Sequence, residues 1–322
     1  MATLCFVGID IAKLTFDVCI HGSKSTRQFE NSPQGYRQLL TWLKPHARQH
    51  IHVAMEATGR YHLGLASLFV AEGLKVYTLN PKRLKRYSQS QSRRSKTDSA
   101  DASLLATYVC KHHELLHLYR PPSAQLAKLR LLVRRRHQLK EHRKQELTRS
   151  KELESTHAPC LKSTKRFAAF LSKELKRIDK EIQEAVKEDE DFARDYKLLM
   201  SIPQVGDVLA TTFLTEVDPQ NFNWGKDITA WLGLAPLEYS SGSSVYRPGR
   251  IGKGNTRLRQ ALYMASIGAF SNDTWKPWLE PQQARGKEGN KLVVALMDKL
   301  LRVCWGVLKH QQPFCHKTAF GA

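Results

Sequence analysis

The sequence predicts an α/β domain at the N-terminus, then a helical coiled-coil middle, then a mainly α-helical C-terminal part. Three observations carry this. Strand-period segments crowd into the first quarter of the chain, helix-period segments dominate beyond Pro121-Pro122, and 322 residues suffice for roughly two domains. With 41% apolar and 25% charged residues the chain can bury real cores and is not compositionally disordered.

The elements follow in order. LCFVGIDIA, LTFDVCI and STRQFEN are three consecutive strands separated by short polar breaks. After Ser32-Pro33 comes a helix-period stretch with Leu39, Leu40, Trp42 and Leu43. IHVAMEAT then reads as a strand, Leu63 to Ala71 as a helix and KVYTLNP as a strand. The resulting β-β-β-α-β-α-β order resembles the ribonuclease-H-like fold, and order alone gives function only by analogy. From Lys82 to Lys96 there are seven basic residues and no acid, a run expected to be solvated and flexible. A helix from about Asp98 to His112 follows.

Beyond the paired prolines, two long helices are expected, about Ser123 to Thr156 and about Lys162 to Asp189, joined through Pro159 as a hairpin. The second carries Phe167, Leu171, Leu175, Ile178, Ile182 and Ala185 at spacings of three and four, suited to a coiled-coil seam. The first holds ten basic residues and two acids between Lys128 and Lys151, which gives it a polyanion-facing role; a merely solvated face at Arg134 to Arg136 is the alternative. In the last region, YKLLMSIPQVGDVLATTFLTEV resembles a helix-hairpin-helix, with Gln204 where the usual first hairpin glycine would stand. An ordinary helical hairpin is the alternative there. The three parts are taken as residues 1–118, 119–191 and 192–322.

Charge and composition exclude several functions. Lys and Arg number 51 against 30 Asp and Glu, a net charge of +21, so a polyanionic partner is expected. The apolar start at Cys5, Phe6 and Val7 is cut by Asp10 and Lys13, and no run approaches the roughly 20 apolar residues of a membrane span. No membrane partner is expected, and the cytoplasm is the expected compartment. The six cysteines lack CxxC spacing, so most are expected to be small core hydrophobes rather than zinc ligands or disulfides.

Two constellations carry chemistry. Asp10 closes the first strand, Glu56 closes a later one, and Asp98 and Asp101 lie one turn apart on a helix whose face continues through Leu105 and Tyr108. Four converging carboxylates repel unless divalent cations neutralise them, and hard oxygen ligands suit magnesium or manganese. Taken singly, Asp98 can be a helix cap, Asp101 a first-turn residue and Asp10 a turn residue. The second constellation is LGLAPLEYSSGSSVYRPGRIGKGN, a polar loop with Ser240, Ser241, Ser243 and Ser244 followed by Arg247, Arg250, Lys253, Arg257 and Arg259. Serines among cations suit phosphate chemistry, although such a loop is more often simply flexible.

The ordered set GIDIAK, EATG, KTDSADA, SIPQVG, GLAP, SSGSS, GN and LRQALYM resembles the DEDD transposases of the insertion-sequence one-ten family, the bridge-RNA-guided recombinases, over nearly the whole chain. The resemblance implies a RuvC-like N-terminal domain, a coiled-coil connection and a C-terminal transposase domain. It puts the family's metal-binding acids on Asp10, Glu56, Asp98 and Asp101 and its catalytic serine on Ser241, with Ser240 as a neighbouring candidate. It further implies RNA-guided DNA strand exchange through a phosphoserine link, with Mg2+ (or Mn2+) and a noncoding bridge RNA as cofactors. Donor and target DNA would be substrates, a dimer or tetramer the working form, and the prokaryotic nucleoid the place of action. Expected nucleic-acid contacts are Lys82, Arg83, Arg93, Arg94, Lys96, Arg134, Arg135, Arg136, Arg247, Arg250, Lys253 and Arg257. Two other readings are carried: a water-using, metal-dependent RuvC-like nuclease, and a non-catalytic basic nucleic-acid-binding protein.

Overall fold

A computed structural model describes residues 4–23, 25–57, 59, 61–91, 98–153, 157–241 and 245–320; at 82, 98–99, 237–241 and 245–250 it describes the backbone alone. The chain divides into two compact units, Met1–Pro122 and Ser123–Ala322.

The first unit is a mixed sheet between helices. Strands β1 (Cys5–Ile11), β2 (Thr15–Ile20) and β3 (Thr26–Glu30) form an antiparallel meander. Strands β4 (Ile51–Glu56) and β5 (Lys75–Leu79) add in parallel beside β1, giving the order β3-β2-β1-β4-β5. Helix α1 (Pro33–Trp42) starts where Ser32 Oγ accepts from the Gly35 N–H at 3.2 Å and Pro33 fills a first-turn position that needs no donor. Val7, Ile9, Phe16, Val18, Val53 and Met55 point to one face, fully buried against Leu39 of α1 and Leu65 and Phe69 of α2 (Leu63–Ala71). On the opposite face Ala54, Tyr77 and Leu79 pack against Leu104, Leu105, Tyr108 and Val109 of α4 (Asp98–His112). The alternation of residues along each strand thus supplies both cores.

The basic run differs from its expectation. Its first part is helix α3 (Pro81–Ser90), in which Leu84 is buried and Tyr87 meets the Tyr108 ring edge-on at 4.9 Å. Two anchors three residues apart hold a helix that also carries four basic residues, Lys82, Arg83, Lys85 and Arg86. The rest of that run, with Arg93, Arg94 and Lys96, lies outside the described residues.

Beside this core His52 is 3% exposed, with Nδ1 2.9 Å from the Tyr77 hydroxyl and no partner for Nε2 among the described residues. Burial, reinforced by the nearby Lys75, His113 and His50, pushes its pKa down from 6.5 to about 4. A histidine neutral in the fold and chargeable when unfolded contributes stability that is complete above pH 6.5 and is lost as pH falls towards 4. The gap corresponds to about 3 kcal/mol. Urea midpoints should therefore fall between pH 7.5 and pH 5, and His52→Phe should flatten that dependence.

The second unit is mostly helical. Helices α5 (Ala124–Glu152) and α6 (Ala158–Lys187) form an antiparallel hairpin: Lys128 pairs with Glu188, Arg136 with Asp179 and Arg143 with Ser172, partners that converge along the chain. Helix α6 begins earlier than expected, because Pro159 sits in its first turn rather than in the connection. Leu171, Ile182 and Ala185 of the expected seam are buried, whereas Phe167 is 46% exposed and stacks on Phe170. Helices α7 (Glu190–Met200), α8 (Asp207–Glu216), α9 (Gly225–Leu232), α10 (Thr256–Ala269), α11 (Lys276–Ala284), α12 (Gly289–His310) and α13 (His316–Phe320) complete the unit. Leu292, Leu296, Leu300, Leu301 and Cys304 of α12 meet Phe213, Leu258, Leu262 and Trp275 in its core. Cys5, Cys19 and Cys304 are buried as expected of core cysteines; Cys160 and Cys315 are exposed. Among the described residues no helix is long and apolar enough to cross a membrane.

Candidate acidic centre and serine hairpin

Asp10 and Glu56 stand at the C-terminal ends of neighbouring parallel strands. The register pairs Ile9 with Met55, so the next positions, Asp10 and Glu56, lie side by side. Both share the face of Gly8 and Ala54 by strand alternation. That face carries α4 directly on the backbone: a Cβ added at Gly8 would lie 2.1 Å from the Ala102 carbonyl oxygen and 2.3 Å from the Ala106 nitrogen. Two residues before Gly8, the Phe6 ring meets His113 at 5.0 Å, so α4 runs opposite to β1. Continuing from Gly8 to Asp10 therefore leads to the first turn of α4, where Asp98 and Asp101 lie. The backbone gathers all four acidic positions at one end of one sheet face. Asp10, Glu56 and Asp101 are each partly buried. Among the described residues no three His, Cys, Asp or Glu side chains form a group able to hold a metal ion, and the Asp98 side chain is outside that description.

The sequence reading missed a further acid at this end. Asp17 lies directly across the β1–β2 ladder from Asp10 and accepts from Gln28 Nε2 at 3.3 Å. The signal was available: folding LCFVGIDIA back on LTFDVCI about Lys13-Leu14 pairs positions 10 and 17.

The serine segment, expected as a loop, contains a two-stranded antiparallel ladder, β6 (Pro236–Ser241) with β7 (Val245–Ile251). β-Branched and aromatic residues such as Tyr239, Val245, Tyr246 and Ile251 favour extended backbone despite the glycines and serines around them. Ser241 ends β6 opposite Val245; its side chain, like those of Ser240, Arg247 and Arg250, lies outside the described set, as do Gly242, Ser243 and Ser244 entirely. Arg259 serves a different purpose from the phosphate-facing role its sequence position implied. Its Nε donates to the Leu232 carbonyl at 2.9 Å, and its Nη2 donates to the carbonyls of Gly233, at 2.8 Å, and of Gly252. One guanidinium thus ties the chain entering the hairpin to the chain leaving it. Gly254 is required for the same junction, since a Cβ there would lie 1.7 Å from the Leu232 oxygen.

The remaining basic candidates divide by partner. Arg83 lies over the Tyr108 ring at 5.7 Å, and Lys82 is described by its backbone alone. Arg136 pairs with Asp179, Arg257 with Glu216 at 2.8 Å, and Arg134 approaches Glu216 at 4.0 Å. Arg135 and Lys253 are exposed.

Comparisons with known proteins identify the family. Residues 7–159 match a DEDD family described as transposase, of the IS110 type, and residues 196–280 match the transposase IS116/IS110/IS902 family. The pilin gene-inverting protein of Moraxella bovis is 30% identical over 318 residues, covering 96% of this chain and 97% of that protein. The transposase for insertion sequence element IS1328 of Yersinia enterocolitica is 28% identical over 145 residues, 43% of this chain and 42% of that protein. The protein is a DNA transposase or recombinase. It belongs to the IS110 family of DEDD transposases.

Proposed function

We propose that the protein cuts and rejoins DNA under the guidance of a noncoding bridge RNA, through a covalent link between Ser241 and a DNA phosphate. The observation that carries this reading is the gathering of Asp10, Glu56, Asp98 and Asp101 at one end of one sheet face, in the β3-β2-β1-β4-β5 order of a ribonuclease-H-like, RuvC-like domain. An all-oxygen donor set without sulfur or imidazole fits Mg2+ or Mn2+. Asp10, Glu56, Asp98 and Asp101 would hold such an ion, which, when bound, neutralises the scissile phosphate and lowers the pKa of an attacking hydroxyl.

The chain's own residues do the rest. Ser241 Oγ loses its proton and forms a bond to phosphorus; the deoxyribose oxygen on the other side leaves and takes up a proton. One phosphodiester is exchanged for another phosphoester of similar energy, so attack by a new DNA end reverses the step and rejoins strands without an energy source. Arg259 keeps both ends of the serine hairpin in register during this exchange. The hairpin of α5 and α6 acts as the coiled-coil connection and assembly element of a dimer or tetramer, in which the serine of one subunit completes the acidic centre of another. The protein works on donor and target DNA of the prokaryotic nucleoid, in the cytoplasm. With sequence choice delegated to RNA pairing, the protein reads backbone and shape.

The test is to incubate the protein with its RNA, donor and target DNA and Mg2+, denature, and map any residue still joined to DNA. A peptide carrying the adduct at Ser241 is the expected result; cut ends free of protein would replace this reading with a water-using nuclease. Asp101→Asn should lower cleavage by about a hundredfold or more, as loss of a charge-stabilising group does, while DNA retention and thermal unfolding stay near wild type.

A further inference from the structure

Three features far apart in sequence meet in one cleft of the second unit: the basic helix α5, the Pro203 to Gly206 turn and the start of α10. The cleft encloses about 440 Å³. Arg136, His137 and Lys140 line it from α5, and Arg257 and Gln260 from α10. The third wall is the first turn of α8, at Gly206 to Leu209. Gly206, the residue before that helix, offers no side-chain cap, and the amides of the first turn lack intrahelical partners.

Two of these cations already have acidic partners, Arg136 in Asp179 and Arg257 in Glu216, whereas Lys140 makes no ion pair among the described residues. The pKa of His137 is held below its ordinary value by burial, and Arg257, Lys140 and Arg136 lower it further against the opposing pull of Glu141. Lys140, Arg257 and the N-terminus of α8 thus line the cleft beside His137. The acid in the lining, Asp207, has an oxygen bonded by the Tyr196 hydroxyl. Gln204, also in the lining, holds φ at 71°, the left-handed conformation that glycine supplies in the hairpin motif the turn resembles. The turn is kept tight at some backbone cost, which preserves the approach to the α8 amides.

The cleft continues beyond itself. Arg136, Lys140 and the exposed Lys144 stand at four-residue intervals, one row along α5 at about 6 Å per step. Met264, 60% exposed, gives the cleft an apolar edge. A lone small anion needs neither the row nor the edge; a polymer of phosphates carrying flat apolar bases uses both.

We propose that this cleft binds the phosphodiester backbone of a nucleic acid, seating one phosphate among Lys140, Arg257 and the α8 amides while the neighbouring backbone follows the row towards Lys144. The proposal deepens the nucleic-acid side of the function above and does not depend on Ser241 being the nucleophile. The shared ligand chemistry is the phosphodiester, and the source is DNA or RNA.

The test uses the full chain with a single-stranded DNA and an RNA oligonucleotide of the same sequence, titrated across salt. Lys140→Glu should weaken binding of at least one polymer by about tenfold and make the salt dependence shallower by about one phosphate contact. Lys176→Glu, an exposed charge reversal on α6, should leave it near wild type. The His137 ring resonance should move on addition of the oligonucleotide to wild type and stay in place for Lys140→Glu. The polymer whose binding depends on Lys140 identifies the source. Equal losses in both variants, or an unmoved His137 resonance with binding intact, would overturn the proposal. Ser241→Ala should bind as wild type, so a missing adduct with cleft binding intact counts against the nucleophile and not against the cleft.

Discussion

Ser241→Ala should eliminate the denaturation-resistant DNA adduct, with DNA and RNA retention unchanged. The loss should be at least about a thousandfold, the scale expected when a nucleophile itself is deleted rather than a group that supports it. Alanine has no lone pair to offer phosphorus, and no other atom of the strand takes that place. Ser240 is the obvious rescuer, but Ser240 and Ser241 are consecutive positions of β6, paired with Tyr246 and Val245. Consecutive strand positions alternate between the two faces of a ladder. A phosphate presented to one of them is therefore presented away from the other, and Ser240→Ala should keep most of the adduct. An adduct that survives in Ser241→Ala but vanishes in Ser240→Ala would move the nucleophile by one residue and leave the mechanism otherwise intact. Survival in both, with intact strand exchange, would remove covalent serine chemistry altogether.

What sequence could show here depended on the period of each segment. The meander and the alternating β4, α2 and β5 were legible because apolar residues recur at two or near four, and Asp98–His112 was legible because a polar start is followed by a continuous apolar face. Helix α3 was hidden by its charge density, since two anchors, Leu84 and Tyr87, are enough to seat a helix that composition describes as solvated. The β6–β7 ladder was hidden by glycine and serine, which mark turns more strongly than tyrosine and valine mark strands. The four acidic positions could be named from the sequence, but their placement relative to one another could not. Side-by-side placement of Asp10 and Glu56 follows from inter-strand register, and the approach of Asp101 follows from which residue of β1 lets α4 come close. Arg259 was misread for a similar reason: its neighbours in sequence are cations around a serine, while its neighbours in space are three carbonyls.

The same register argument makes Gly8→Ala the most informative change away from any chemical group. Its new methyl would meet the Ala102 oxygen at 2.1 Å, the Ala106 nitrogen at 2.3 Å and the Leu105 Cβ at 2.8 Å, none of them the movable end of a side chain. Helix α4 must then lift or slide against β1, loosening Leu105, Ala106 and Val109, which are fully buried. Overpacking of this kind costs about 1–3 kcal/mol, read as a lower urea midpoint. The larger effect should fall on cleavage, because the same movement carries Asp98 and Asp101 away from Asp10 and Glu56, and such a site tolerates displacement of only about 0.5 Å. Val7→Ala supplies the comparison. It lies one residue away on the opposite sheet face, packs against α1 and α2, and should cost roughly as much stability by opening a cavity while leaving the seat of α4 untouched. Cleavage should therefore collapse in Gly8→Ala and persist in Val7→Ala at matched stability. If both variants lose cleavage in proportion to their urea midpoints, the close seating of α4 on β1 stabilises the domain without assembling the acidic centre.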